Sequence, residues 1–356
     1  MNYIGSKRSL LNFLDKSIHK IIDPAKCQVF ADLFAGTGVV GTHFKKKGYR
    51  LISNDIQYYS YILNRHYLGN NDELKFNNLI LKMPELRHVN IKDRRQYLCD
   101  YLTSIKGRPG FIYENYCAGG TKNKSVQRLY YSDENGLKCD ALRQLIESWK
   151  KQNHINDNEY YYLLACLIDS VDAYANTASV YSAFLKSLKP TAQRSLKIKA
   201  LPLIKSNLMH DVYNQNIDDL ISNIKCDILY LDPPYNRRQY ATNYHVLETI
   251  AKYDNPILTG KTGLREYEAQ KSLYCLKKKV KNALKNLIVQ ANSKYIFLSY
   301  NNEGVLRPGE IKTILSKKGK YGCFTQKYSR FKADKDHNRS YVADQTIEYL
   351  HYVIVK

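Results

Sequence analysis

Short apolar runs, each stopped by glycine, proline or charge, carry the first information in this chain. Positions 27–36, CQVFADLFAG, are nearly continuous in apolar residues and break at Gly36, the pattern of a buried parallel strand. In the VVGTHFKKKG that ends at Gly48, apolar residues recur at helical spacing and lysines precede the glycine, a combination that ends helices. Positions 49–55, YRLISND, predict a second strand, closing a βαβ unit of roughly thirty residues. Strand patterns then stop. Residues 70–203 read as polar helices and loops, among them RQLIESWKKQ and EYYYLLACLIDSVDAYA. Strand runs resume at 210–215 (HDVYNQ), 226–232 (CDILYLD) and 294–300 (KYIFLSY), and the alternating 346–355 (TIEYLHYVIV) predicts the end of an antiparallel pair. The pattern shows no internal repeat and no low-complexity linker. The expected fold is α/β: a doubly wound, mostly parallel sheet whose halves are separated by a helical insertion of about 130 residues.

Composition narrows the partners. The chain has 356 residues, enough for one large domain with an insertion or for two domains, and 44% of them are hydrophobic, enough for a core. A formal charge of +22 attracts polyanions, so nucleic acid is the leading partner class. A lysine-loaded surface arising from biased base composition is the competing explanation, which the 32 tyrosines also suit. The eight cysteines never fall in C-x-x-C spacing and read as reduced thiols, so neither a disulfide framework nor a metal site is expected. No apolar run has signal or membrane-spanning character, and a soluble cytoplasmic protein is expected.

Two stretches carry chemistry. Gly36-Thr37-Gly38-Val39-Val40-Gly41 spells G-x-G-x-x-G between a predicted strand and helix, and Asp55 ends the next strand. The glycines permit a tight turn and the acid suits ribose hydroxyls, which points to a nucleoside-bearing ligand. A pyrophosphate on the helix N-terminus would be repelled by an acid just before the loop, and here Asp32 and Phe34 stand there. The acid suits a ligand with a positive group, so S-adenosylmethionine, with its ammonium and sulfonium, is favoured over a nicotinamide dinucleotide. The second stretch, DPPYNRRQY at 232–240, leaves an apolar run through an acid, two prolines and a tyrosine. Prolines stop the strand and stiffen the backbone.

With these blocks the chain resembles the Dam-like (class alpha) adenine-N6 DNA methyltransferases of type II restriction–modification systems. The resemblance rests on YIGSKRSLL (3–11), FADLFAGTGVVG (30–41), SNDIQ (53–57) and DPPYNRRQY, with RLYYSDENGLKCDALR, NTASVYSAFLK and NYHVLETIA also familial. It implies a seven-stranded methyltransferase sheet, with residues 1–69 and 204–356 forming the catalytic domain and 70–203 an inserted target-recognition region. It also implies that adenine is flipped out of duplex DNA, because its amine cannot be reached inside the stack. Asp232 and the carbonyl of Pro233 would then accept the two amine hydrogens, and Tyr235 would stack on the extruded ring, a contact worth roughly 1–3 kcal/mol. Tyr3 and Lys7 would contact the methionine end of the cofactor. Asp32, Phe34, Gly36 and Gly38 would line its loop, with Asp232 adjoining it, and Asp55 would bind the ribose. Asn216, at a position where acids are commoner in the family, would approach the adenine ring.

Four basic stretches are candidates for DNA contact: 116–132 with Lys122 and Arg128, 186–200 with Lys186 and Arg194, 236–244 with Arg237 and Arg238, and 329–341 with Phe331. For each, a solvated basic loop is the plain alternative. The implied enzyme is a monomer acting on a short double-stranded site, with a separately encoded endonuclease as a partner. Rival readings are a methyltransferase for RNA or a protein amide, a nicotinamide-dependent oxidoreductase resting on the glycine loop alone, and a non-catalytic DNA-binding protein. The recognition sequence is not readable from these residues.

Overall fold

The computed structural model describes residues 3–329 and 345–356, and the chain divides into two compact units. One, made of residues 4–64, 206–241 and 268–356, contains a single seven-stranded sheet. Its strands are β1 (Val29–Asp32), β2 (Arg50–Asn54), β3 (Asp211–Tyr213), β4 (Lys225–Leu231), β5 (Asn292–Asn301), β6 (Gly319–Ser329) and β7 (Gln345–Val355). Their order in the sheet is β3-β2-β1-β4-β5-β7-β6. The five strands from β3 to β5 are parallel, and β7 runs antiparallel to both of its neighbours.

This order has a functional consequence. From β1 the chain moves outward through β2 to β3, then returns to lay β4 on the other side of β1. The strand ends therefore diverge between β1 and β4, the place where open α/β sheets leave a crevice for ligands. Register brings the two exits level, because Asp32 of β1 pairs with Tyr230 of β4.

Alternation along β1 covers both faces of the sheet. Phe30 stacks on Phe44 of α2 (Val39–Lys46), with ring centroids 4.0 Å apart, α1 being the helix Leu11–His19. The next residue, Ala31, belongs to a different cluster, with Leu229 and Leu231 of β4 and Ile296 and Leu298 of β5. Leu284 and Leu287 from the helix Val280–Gln290 and Ile311 from Pro308–Leu315 close that cluster. Each large aliphatic side chain buried this way contributes about 1.5–3 kcal/mol, so the sheet centre is the stiffest part of the unit. The edge strand β6 has no counterpart among the sequence expectations. None of residues 319–328 is buried, so its side chains carry no apolar alternation to read.

The other unit takes in Tyr3 with residues 65–205 and 242–267 and is helical, with Ile91–Ser104, Phe111–Tyr116, Asp133–Lys151, Asp157–Ala173 and His245–Lys252. Asn156 and Glu159 form a reciprocal capping box at the start of Asp157–Ala173. Asp140 accepts the first N–H groups of Phe111–Tyr116, from Ile112 at 2.9 Å and Tyr113 at 2.8 Å. Residues 242–267, grouped by sequence with the catalytic region, pack here instead. The buried Arg143 is the reason: it donates to the carbonyls of Ile250 at 3.1 Å and Ala251 at 3.2 Å, satisfying the end of His245–Lys252. Among the described residues no helix is long and apolar enough to cross a membrane.

Candidate active site

The glycine loop follows β1 and opens α2 at Gly38, whose φ of +75° is in the left-handed region. A Cβ there would stand 2.8 Å from Asn64 Oδ1, so backbone angle and space both demand glycine. Asn64 closes α3 (Tyr58–Asn64) and pins the loop: it donates to the carbonyls of Gly36 at 3.0 Å and Ser60 at 2.8 Å and accepts from Ser53 at 3.1 Å. Asp55 holds the loop from its other side, accepting from the Gly36 N–H and the Gln57 N–H, each at 2.8 Å. Phe34 meets Tyr274 edge-on at 5.1 Å.

Asp32, at the end of β1, is buried, and the backbone N–H groups of Phe34 and Gly41 favour its charged form. Burial, with the nearby charges of Asp232 and Asp55, pushes its carboxyl up to about 8. One of its oxygens, Oδ1, has no hydrogen-bond partner among the described residues. A buried acid with a spare oxygen and acidic neighbours is stabilised by an incoming cation and destabilised by an anion, so the site fits a ligand with a positive centre and disfavours a pyrophosphate.

At the exit of β4 stand Asp232, buried Pro233 and Tyr235. The chain's N-terminal segment crosses them. Lys7, itself 4% exposed, places Nζ 3.0 Å from Asp232 Oδ1 and 3.1 Å from Glu348 Oε1 of β7. The same ammonium lies 5.2 Å from the centre of the Tyr235 ring. Burial alone would depress the lysine, but Asp232, Tyr235 and Glu348 outweigh it and hold its value well above the ordinary one. Burial pushes Asp232 up to about 6, moderated by Lys7 and reinforced by Glu348. Tyr235 is fixed from two directions: its ring packs against Tyr300 at 5.5 Å, and its carbonyl accepts from Val305 at 2.9 Å. Tyr240 donates to the Ile4 carbonyl at 3.1 Å, tying the segment after the prolines to the N-terminal one.

Thus Lys7, Asp232 and Tyr235 come together, and beside them Asp32 and Asp55 flank the loop of Gly36 and Gly38. Other expected residues lie differently. Asn216 is exposed, and its side chain accepts from the Asp218 N–H at 3.1 Å, capping a short helix. Tyr3 stacks on Tyr244 at 4.8 Å. Arg128 is buried, and its guanidinium is spent on the carbonyls of Asn115, Gly260 and Lys261 at 3.1–3.2 Å, bracing two loops of the helical unit. Lys122, Lys186, Arg194, Arg237 and Arg238 are exposed. Phe331 lies outside the described residues.

Glu348 and Asn64 were not among the expected residues. Glu348 carried a sequence signal: it shares a strand face with Thr346 and Leu350, both buried, so an acid stood at an inward position. Asn64 carried none, since its role depends on tertiary contact with the loop.

Comparison with known proteins agrees with this chemistry. Residues 3–314 match the family model described as D12 class N6 adenine-specific DNA methyltransferase. The chain is 46% identical over 352 residues to type II methyltransferase M.NlaIII of Neisseria lactamica, covering 99% of this chain and 98% of that one. It is 32% identical over 360 residues to type II methyltransferase M.CviAII of Paramecium bursaria Chlorella virus 1, covering 100% and 99%. It is 38% identical over 356 residues to type II methyltransferase M.FokI of Planomicrobium okeanokoites, covering 99% of this chain but 52% of that one, so it spans about half of that longer enzyme. Sheet, site and relatives converge on one assignment: this chain belongs to the D12 class of N6 adenine-specific DNA methyltransferases, among the type II modification enzymes.

Proposed function

We propose that the chain transfers a methyl group from S-adenosylmethionine to N6 of an adenine flipped out of a short, specific double-stranded DNA sequence. It would work in the cytoplasm as a monomer, protecting DNA against a separately encoded endonuclease. One observation carries the reading. The acid-lined loop after β1 and the Asp232-Pro233-Pro234-Tyr235 turn after β4 leave adjacent strands at the same level, since Asp32 is in register with Tyr230.

S-adenosylmethionine, when bound, supplies an electrophilic methyl on a sulfonium. Asp32 would hold its positive end through the unpartnered oxygen, Tyr3 and Lys7 its methionine portion, Phe34, Gly36 and Gly38 its loop-facing side, and Asp55 its ribose. Adenine's amine is a weak nucleophile because its lone pair is conjugated with the ring. Asp232 Oδ and the Pro233 carbonyl accept the two amine hydrogens, which draws nitrogen toward tetrahedral geometry and frees the lone pair. Proline carries no N–H to compete, and its fixed φ keeps the acceptor still while charge develops on nitrogen. Asp232, at about 6, is mostly ionised at neutral pH and so able to accept. Tyr235, already braced by Tyr300 and Val305, gives the flipped ring a stacking surface. Lys122, Lys186, Arg194, Arg237 and Arg238 would contact phosphates along the duplex.

The test uses D232N with labelled donor and duplex DNA, RNA or protein in parallel, and calorimetry of donor binding. We expect incorporation into DNA only, lost by about 10²–10³-fold in D232N, the usual scale for one polar group facing developing charge. Donor binding should survive. A D232N protein that methylates DNA at the normal rate removes the assigned role.

A further inference from the structure

Lys7 serves two carboxylates. Its Nζ lies 3.0 Å from Asp232 and 3.1 Å from Glu348, so neither acid has the ammonium to itself. Glu348 is fully buried on β7, and the Ser299 hydroxyl of β5 donates to the same Oε1 that faces Lys7. A fully buried carboxylate is costly unless its partners compensate, and an apolar residue would fill this strand position at less cost. Its presence therefore calls for a reason beyond packing.

We propose that Glu348 is a positioning residue for methyl transfer, sharing the Lys7 ammonium with Asp232 so that the Asp232 carboxylate stays available to the substrate amine. The inference rests on the role assigned to Asp232 above. Without Glu348, Lys7 would close fully on Asp232 and compete with the amine for its oxygens. With Glu348 in place, the ammonium is held between two acids and its field on Asp232 is diluted. The groups around Asp232 are Lys7 from the N-terminal segment, Glu348 from β7, Tyr230 from β4, Tyr235 after it, Asp32 from β1 and Tyr328 from β6. Of these, Glu348 acts on Asp232 in the direction opposite to Lys7.

The experiment measures single-turnover methylation of duplex DNA from pH 5 to 9 for wild type, E348Q, S299A and D232N. E348Q keeps the shape and removes the charge. Its plateau should fall about tenfold, and its acid limb should move to lower pH by at least about half a unit, a threefold change in the ionised fraction on the limb. S299A, which strips Glu348 of a donor and leaves it a stronger competitor for Lys7, should move the limb the opposite way. An E348Q profile that superimposes on wild type, or a limb displaced upward, overturns the proposal. Should E348Q fail to fold, S299A decides alone, and a limb at the wild-type position overturns it. D232N separates the two levels of the argument. Activity in D232N removes the underlying reading, whereas an inactive D232N beside an unmoved E348Q profile removes only the role of Glu348.

Discussion

Replacing Lys7 with methionine keeps most of the buried stem and deletes the ammonium that two acids share. Asp232 and Glu348 then lose a partner at 3.0 Å and 3.1 Å in a place where Glu348 has no contact with solvent and the Asp232 side chain is 16% exposed. Breaking a buried pair by removing one member costs roughly 3–5 kcal/mol, because the charge left behind is uncompensated. The protein can escape part of this by protonating Asp232. Asp232 already sits at about 6, above its ordinary range, so the folded state binds a proton more tightly than the unfolded one. Stability associated with that group therefore falls as pH rises through about 6, and losing Lys7 extends the fall to higher pH. The stability gap between wild type and K7M should be about 3–5 kcal/mol at pH 8 and shrink toward about 1 kcal/mol at pH 5, the worth of the remaining lost hydrogen bond.

Activity should move the other way. If Asp232 rises by about two units, its ionised fraction at pH 7 drops from roughly nine-tenths to one-tenth, a tenfold loss that alkaline pH recovers. Thermal melts at pH 5 and 8, paired with single-turnover methylation at pH 7 and 9, read both trends. A stability gap that stays constant with pH would refute the reasoning, since it would mean that lost packing, not the stranded carboxylates, is what the substitution costs.

Two further outcomes follow from the loop. Asp32 stands at about 8 without ligand and must ionise to face a positive centre, so S-adenosylmethionine affinity should climb as pH rises toward 8, with proton release on binding. Calorimetry in buffers of different ionisation enthalpy measures this, D32N should flatten it, and a pH-independent affinity in the wild type would contradict the role given to Asp32. For Gly38→Ala, the left-handed backbone costs about 1–2 kcal/mol and the displaced Asn64 gives up hydrogen bonds worth about 1 kcal/mol each. Denaturant unfolding should show a loss of about 2–4 kcal/mol, with donor binding weakened further, and an unaltered midpoint would count against this account of the loop.

The parts of this enzyme that could be read from the chain are those whose chemistry is local. The central strands β1, β2, β4 and β5 are apolar runs because helices cover both faces, and the turns that follow β1 and β4 are spelled by glycine and proline, whose backbone limits need no partner to be recognised. What stayed hidden depends on contacts between distant segments. Arg128 reads as a candidate DNA contact because it lies among glycines, bases and aromatics, yet its donors meet carbonyls of Asn115, Gly260 and Lys261. The resemblance implies Asn216 near the adenine ring, whereas its exposed side chain accepts from the Asp218 N–H and caps the short helix that follows. Glu348 is the instructive case. Its spacing along β7 put an acid on a buried face, which is legible, but that the face meets Lys7 follows only once a strand more than three hundred residues away along the chain is laid beside the N-terminal segment. An inward-facing acid between buried Thr346 and Leu350 is a local contradiction, and the site resolves it: the charge is tolerated because Lys7 needs a second anchor where Asp232 must be left partly free.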